Sequence, residues 1–138
     1  MAVIRVFLDT NAYTTFKKGD EDTVQVIRNA DLVGVSVVVL GELLAGFAVG
    51  TKERRNRQEL DAFLDSPRVR IYPVDSETTG HYASIYRQLK NKGRPIPTND
   101  LWIAAGSMQQ GFRLLTADKH FAEIDGLLIG QSPFEFLP

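Results

Sequence analysis

Cysteine is absent from this chain of 138 residues, which excludes a disulfide, a thiolate zinc site and a cysteine nucleophile. An excess of either charge is absent too. Lys and Arg number 16 against 17 Asp and Glu, for a formal net charge of −1. That balance argues against generic, charge-driven binding to nucleic acid but leaves room for local basic clusters. No apolar run approaches membrane length, and the longest, Leu32 to Leu40, is interrupted by Gly34 and Ser36. The opening MAVIRVFLDT lacks the basic region and long apolar stretch of a secretory signal, so a cytoplasmic protein with no membrane partner is expected. Also missing are a Walker A loop, a G-x-G-x-x-G and a G-x-S-x-G serine. Nucleotide hydrolysis, dinucleotide binding and serine hydrolysis therefore have no foothold. His81 and His120 stand without a nucleophile to serve.

What is present is ordinary globular composition, with 43% hydrophobic and 24% charged residues, enough for one domain over 1–138 with a real core. VIRVFL (3–8), LVGVS (32–36), VRIYPV (69–74) and RLLT (113–116) read as strands, and LLI (127–129) is a candidate fifth. Helices are expected over Asn11 to Phe16, from an Asp22 cap to about Ala30, and over Thr51 to Leu64. VVVL fits strand or helix by itself, and the later recurrence of Leu40, Leu43, Leu44 and Phe47 decides for a helix capped by Ser36. Ser76 to Lys92 and a Thr98-capped segment ending at Gly111 complete the set. Alternating strands and helices imply an α/β fold, a mainly parallel central sheet flanked by helices in three layers. Tyr82, Tyr86 and Trp102 read as packing residues rather than cofactor contacts.

Four carboxylates stand beside strand ends or helix starts: Asp9 in FLDTN, Glu42 in GELLAGF, Asp100 in PTNDLWIAA and Asp118 in LLTADKHF. In parallel sheets ligands bind beyond the carboxyl ends of the strands, where Asp9 and Asp118 fall. Carboxylates repel one another and are costly to desolvate, so several on one rim imply a cation. All-oxygen ligands suit Mg²⁺ or Mn²⁺, whose usual substrate partner is a phosphate. Singly, each acid also has a structural explanation: an Asx turn or cap for Asp9, first-turn amides for Asp100, a surface position for Glu42, a turn for Asp118. Glu42 fits that explanation least, crowded by Leu40, Leu43 and Leu44. Asn11 and Thr116 are placed to support the acids as hydrogen-bonding neighbours or else to shape turns. Lys52, Arg54, Arg55 and Arg57 cluster in KERRNR, and Arg87, Lys90, Lys92 and Arg94 follow later. A solvated helix face is the default for both clusters, with Arg54, Arg55 and Arg57 the candidates for RNA contact.

With those residues in place, the chain resembles the PIN-domain ribonucleases, and within them the VapC-type toxins of toxin–antitoxin pairs. FLDTN, GELLAGF, PIPTNDLWIAA and LLTADKHF match the family's motifs in order and spacing from about Val3 to Phe121. The resemblance implies that Asp9, Glu42, Asp100 and Asp118 are the catalytic, metal-binding set, with Asn11 and Thr116 in support. It implies an endoribonuclease in which water, activated by one or two Mg²⁺ or Mn²⁺ ions, cuts structured RNA such as tRNA or ribosomal RNA. The products would be a 5′-phosphate and a 3′-hydroxyl, and no protein nucleophile would be used. It further implies a homodimer, a cognate VapB-type antitoxin as inhibitor, and contact with DNA only through that antitoxin. The helices following Asp9 and Ser36 and the Thr51–Leu64 helix are the candidate walls of a groove for an apolar antitoxin segment tipped with an Arg or Lys directed at the carboxylates. Two other readings share the motifs in part: a PIN nuclease of RNA processing with no antitoxin, and a PIN domain that binds RNA without cutting it. A receiver-like signalling domain, using Asp75 and Lys119 with Asp9, would leave Glu42 and the PTND segment unexplained.

Overall fold

Short runs of apolar residues without polar alternation, such as Val6-Phe7-Leu8 and Leu114-Leu115, suit strands covered on both faces, and these side chains are at most 3% exposed. In the computed structural model, which describes residues 3–138, they form the centre of a sheet; Met1 and Ala2, the first two residues of the opening segment, lie outside the described residues. The strands are β1 (Arg5–Leu8), β2 (Leu32–Ser36), β3 (Val69–Tyr72), β4 (Arg113–Leu115) and β5 (Ile129–Gly130). Six helices flank them: α1 (Thr10–Lys17), α2 (Glu21–Asn29), α3 (Val37–Ala48), α4 (Glu53–Leu64), α5 (Ser76–Lys92) and α6 (Thr98–Gln110). Short 3-10 turns follow at Lys119–Glu123 and Pro133–Phe136.

The strand order is β3-β2-β1-β4-β5 and every pairing is parallel, so the sheet is wholly rather than mainly parallel. The chain builds outward from β1 through β2 to β3, then returns to the other side of β1 for β4 and β5. That reversal makes the β1/β4 junction a topological switch point, where the outgoing connections part and leave a crevice. Leu8 registers with Leu115 there, and the Asp9 amide donates to the Leu115 carbonyl at 3.4 Å.

Gly34 in β2 shows how tightly one side of the sheet is filled. A Cβ at that position would lie 2.7 Å from Phe7 Cδ1 and 3.0 Å from Phe112 Cε2. Phe7, Tyr72 and Phe112 pack against one another with ring centroids 5.6 to 6.0 Å apart, filling the space the glycine leaves. The Tyr82 ring stacks on Trp102 at 4.0 Å, the packing role expected of that pair.

Several boundaries differ from the sequence expectation, each for a local reason. The cap of α2 is Asp20 rather than Asp22, because the Asp20 carboxylate is the one that accepts from Thr23 N and Oγ1. Thr98 opens α6 as its first residue instead of capping it, and Pro97 occupies the cap position with no side-chain bond. β3 stops at Tyr72, before Pro73, which has no N–H for the ladder. α4 begins at Glu53 rather than Thr51, and β5 is Ile129–Gly130 rather than 127–129. Asp75 caps α5, its carboxylate accepting from Thr78 N, Thr78 Oγ1 and Gln109 Nε2. It follows the edge strand β3, with β2 between it and β1, so it does not join a receiver-like pocket with Asp9.

Candidate active site

Asp9 leaves the end of β1 and caps α1. Its Oδ1 accepts from Ala12 N at 2.7 Å, its Oδ2 accepts from Thr116 Oγ1, and the residue is 5% exposed. The same Thr116 oxygen accepts from Asp118 N at 3.0 Å. One hydroxyl therefore ties the loop after β1 to the loop after β4 and sets the spacing of two acids. Asp118 caps the Lys119–Glu123 turn, with Oδ1 accepting from His120 N at 2.9 Å and lying 3.1 Å from His120 Nδ1.

Glu42 comes from the second turn of α3. Thr10, the first residue of α1, donates its hydroxyl to Glu42 Oε1, and Asn99 Nδ2 donates to Oε2 at 3.3 Å from the first turn of α6. Asp100 follows Asn99 in that turn, where the helix's unpaired amides favour an anion. Four elements thus deliver the acids: the ends of β1 and β4, α3, and the start of α6.

The four acids lie near enough for their charges to act on one another. Burial pushes Asp100 from its ordinary 3.8 up to about 6, and the charges of Asp118, Glu42 and Asp9 push the same way against a smaller pull from His120. Asp9 is also raised, first by burial and then by Asp118 and Glu42, while its bonds from Thr116 and Ala12 oppose the rise. Among the described residues no lysine or arginine pairs with any of the four, and the only basic side chain in contact is His120, against Asp118. Like charges are gathered here without compensation.

Residues 6–127 match the PIN domain family. Ribonuclease VapC2 of Rickettsia felis is 30% identical over 127 residues, which cover 88% of this chain and 93% of that one. The chain belongs to the VapC ribonucleases of the PIN-domain family. The solved structure of VapBC2 from Rickettsia felis, bound to a DNA fragment from its promoter, superposes with a TM-score of 0.82 at 26% identity, covering 92% of this chain and 98% of that one. DNA-bound VapBC from Salmonella typhimurium gives 0.83 at 25% identity, covering 94% and 98%.

The PIN-domain acids can be tested as a cation site on their own chemistry. Among the described residues no three or more His, Asp or Glu side chains stand close enough together to hold a metal ion as they are placed. Both oxygens of Asp9 and both of Glu42 are engaged by Thr116, Ala12, Thr10 and Asn99, and repulsion opposes closer approach. The donor set nevertheless suits a hard divalent cation: only carboxylate oxygens, two of the acids held above their ordinary pKa, and among the described residues no lysine or arginine paired with them.

Asp100 offers a direct check of what charge costs here, first through burial and then through the neighbouring acids. Its folded-state pKa lies above 3.8, so the folded chain holds this proton more tightly than the unfolded chain does. Its contribution to stability is fully present below the ordinary 3.8 and is lost as pH rises through about 6. In chelator, Asp100→Asn is therefore expected to stabilise the VapC fold above pH 6 and not at pH 4. The expected gain is on the order of 1 kcal/mol, less than the full shift implies because solvent reaches this carboxylate. Thermal midpoints across that pH range measure it, and an equal change at every pH would contradict it.

Of the two supporting polar residues expected from the sequence, Thr116 is in contact with Asp9 and Asp118, but Asn11 is not. The Asn11 side chain is exposed and bonds to none of the acids; its main-chain carbonyl accepts from Thr14 Oγ1 at 2.9 Å. Thr10 and Asn99, which sequence reasoning passed over, hold Glu42 instead. Their only signal was adjacency to Asp9 and Asp100, and nothing in the spacing showed that both would face α3.

The basic residues divide similarly. Arg54, Arg55 and Arg57 are all exposed on α4. Only Arg55 reaches a cavity of about 320 Å³ between α1, α3 and α4, where Lys17, Lys18 and Lys52 join it. Glu59 lies across that cavity, 3.5 Å from Lys17 and 3.3 Å from Arg55.

Proposed function

We propose that this VapC chain is a divalent-metal-dependent endoribonuclease, the toxin of a type II toxin–antitoxin pair, acting in the cytoplasm on structured RNA such as tRNA or ribosomal RNA. The observation that carries this reading is the uncompensated meeting of Asp9, Glu42, Asp100 and Asp118 at the switch-point end of the sheet. Those four residues are the ones that would hold Mg²⁺ or Mn²⁺. The ion would supply Lewis acidity toward the scissile phosphate and a water of lowered pKa. The chain's own part is placement. Thr116 and Ala12 N–H fix both oxygens of Asp9, Thr10 and Asn99 fix both of Glu42, and the helix start beneath Asp100 steadies its charge. Without a cation the same carboxylates repel a phosphate, which confines productive binding to the metal-loaded protein.

Mapping new 5′-phosphate RNA ends after induced expression tests the reading. New ends at one or a few sites in structured RNA, absent with Asp9→Asn, are expected; an unchanged set of ends would refute it.

A VapB-type antitoxin is the proposed inhibitor, as the two VapBC complexes support. The cavity between α1, α3 and α4 suits an inhibitory segment that is apolar against Tyr13 and Phe47 and acidic toward Lys18 and Lys52. Contact with DNA would come only through that antitoxin, and the toxin itself would be a homodimer. For RNA, neutralising Arg54, Arg55 and Arg57 together is expected to weaken cleavage and flatten its salt dependence, with Arg55 carrying most of the effect. An unchanged salt slope would return α4 to a plain solvated face.

A further inference from the structure

Beside the acids lies a second polar cavity that the proposed hydrolysis does not use. It occupies about 180 Å³ between α1, the start of α2 and the ends of β4 and β5, walled by Asn11, Thr15, Asp22, Thr116, Ala117 and Gln131 among others. It shares a wall with the acid site. Thr116, which bonds Asp9 Oδ2, lines it, and so does Ala12, whose amide bonds Asp9 Oδ1. It also lies beyond the carboxyl ends of β4 and β5, the end of a parallel sheet at which ligands are held.

We propose that this crevice is a nucleobase subsite, taking one unstacked base of the RNA next to the bond that is cut, and selecting a base that carries an amino group. The subsite rests on the ribonuclease activity proposed above.

Its chemistry favours a base over the alternatives. Asn11 and Gln131 use main-chain groups for their internal bonds, to Thr14 and Glu135, leaving both side-chain amides unengaged among the described residues. An amide presents a donor and an acceptor side by side, as the edge of a base does. Asp22 is exposed and makes no ion pair among the described residues, and Asp20 stands near it with Oδ2 taken by Thr23. Two carboxylates and no lysine or arginine in the lining repel a backbone phosphate. They accept instead from an exocyclic amino group, which adenine, cytosine and guanine carry and uracil lacks. The space equals roughly six waters at about 30 Å³ each, too roomy for a lone cation and suited to a planar ring. Leu115, Ala12 and Ala117 give that ring an apolar surface of small relief. No aromatic residue lines the crevice, so recognition is by the base edge rather than by stacking.

The test uses the purified full chain with Mn²⁺ and an RNA library randomised in its loop, with the cut ends sequenced. Wild type is expected to disfavour uracil at one position adjoining the cut by on the order of tenfold. Asp22→Ala with Gln131→Ala, both at exposed positions, is expected to bring that ratio below about twofold. A ratio identical in wild type and variant overturns the subsite, as does a wild type with no preference. An unchanged ratio with weakened antitoxin affinity assigns the crevice to the partner and overturns it equally. A second measurement separates this failure from failure of the ribonuclease reading: NMR of the Gln131 side-chain amide on adding adenosine, cytidine, uridine or ribose 5-phosphate. Shifts with adenosine and cytidine, but not with uridine or ribose phosphate, support the subsite even if no RNA is cut. No selective shift counts against it even where RNA is cut.

Discussion

Asp100→Asn is expected to lower RNA cleavage by about a hundredfold or more while leaving the fold intact. Asparagine keeps the shape and removes the charge that a divalent ion would need. Asp100 is the cleanest of the four to change, because it caps nothing and its carboxylate takes no hydrogen bond among the described residues. Asp9→Asn should lose as much activity, since Asp9 is the most buried of the acids at 5% exposure and anchors the Thr116 link to Asp118. Its fold should survive, because asparagine caps a helix about as well as aspartate does and can still accept from Ala12 N. Cleavage rates with Mg²⁺, alongside circular dichroism of each variant, measure both. An Asp100→Asn protein cutting RNA at the wild-type rate would make Asp100 a structural residue.

Expressed without a partner, the wild-type chain should arrest growth, and Asp9→Asn or Asp100→Asn should not. A ribonuclease of this kind, free among cellular RNA, turns over many substrate molecules, so even modest expression should be felt. Co-expression of an antitoxin whose inhibitory segment fits between α1, α3 and α4 should restore growth. Basic substitutions in the part of that segment facing Lys18 and Lys52 should weaken the rescue, because those two lysines line the cavity without the Glu59 contact that engages Lys17 and Arg55. Growth curves with titrated inducer give the comparison. Harmless high-level expression of an active, folded wild type in several hosts would count against a toxin.

Much of this architecture was legible in the residues because the relevant signals are local. The apolar strand cores, the recurrence of Leu40, Leu43 and Leu44, and Gly93 and Gly111 in left-handed C-caps each specify an element within a few positions. Asp9, Asp100 and Asp118 stood out because each adjoins such an element's end, whereas Glu42 lies inside α3 and stood out only for its apolar neighbours. What escaped was whatever depends on how elements face one another. Thr10 supports Glu42 only because α1 and α3 meet, and Asn11, one residue further round the helix, is carried away from the acids into the crevice. Competing caps were ambiguous for the same reason: Asp20 and Asp22 are equivalent by type, and only the placement of Thr23 chooses between them. The division of the KERRNR arginines needed tertiary contact too, since the cavity that Arg55 lines is shared with Lys17 and Lys18 from the end of α1.

Whether the four acids act as one metal site is tested most directly by titrating Mn²⁺ into wild type and Asp100→Asn by calorimetry, with RNA cleavage followed on the same samples. A single carboxylate site predicts that chelator abolishes cleavage and Mn²⁺ restores it. Asp100→Asn should then bind the ion at least about tenfold more weakly and lose cleavage in parallel. Cleavage that persists in chelator, or Mn²⁺ bound equally tightly by both proteins, would contradict it.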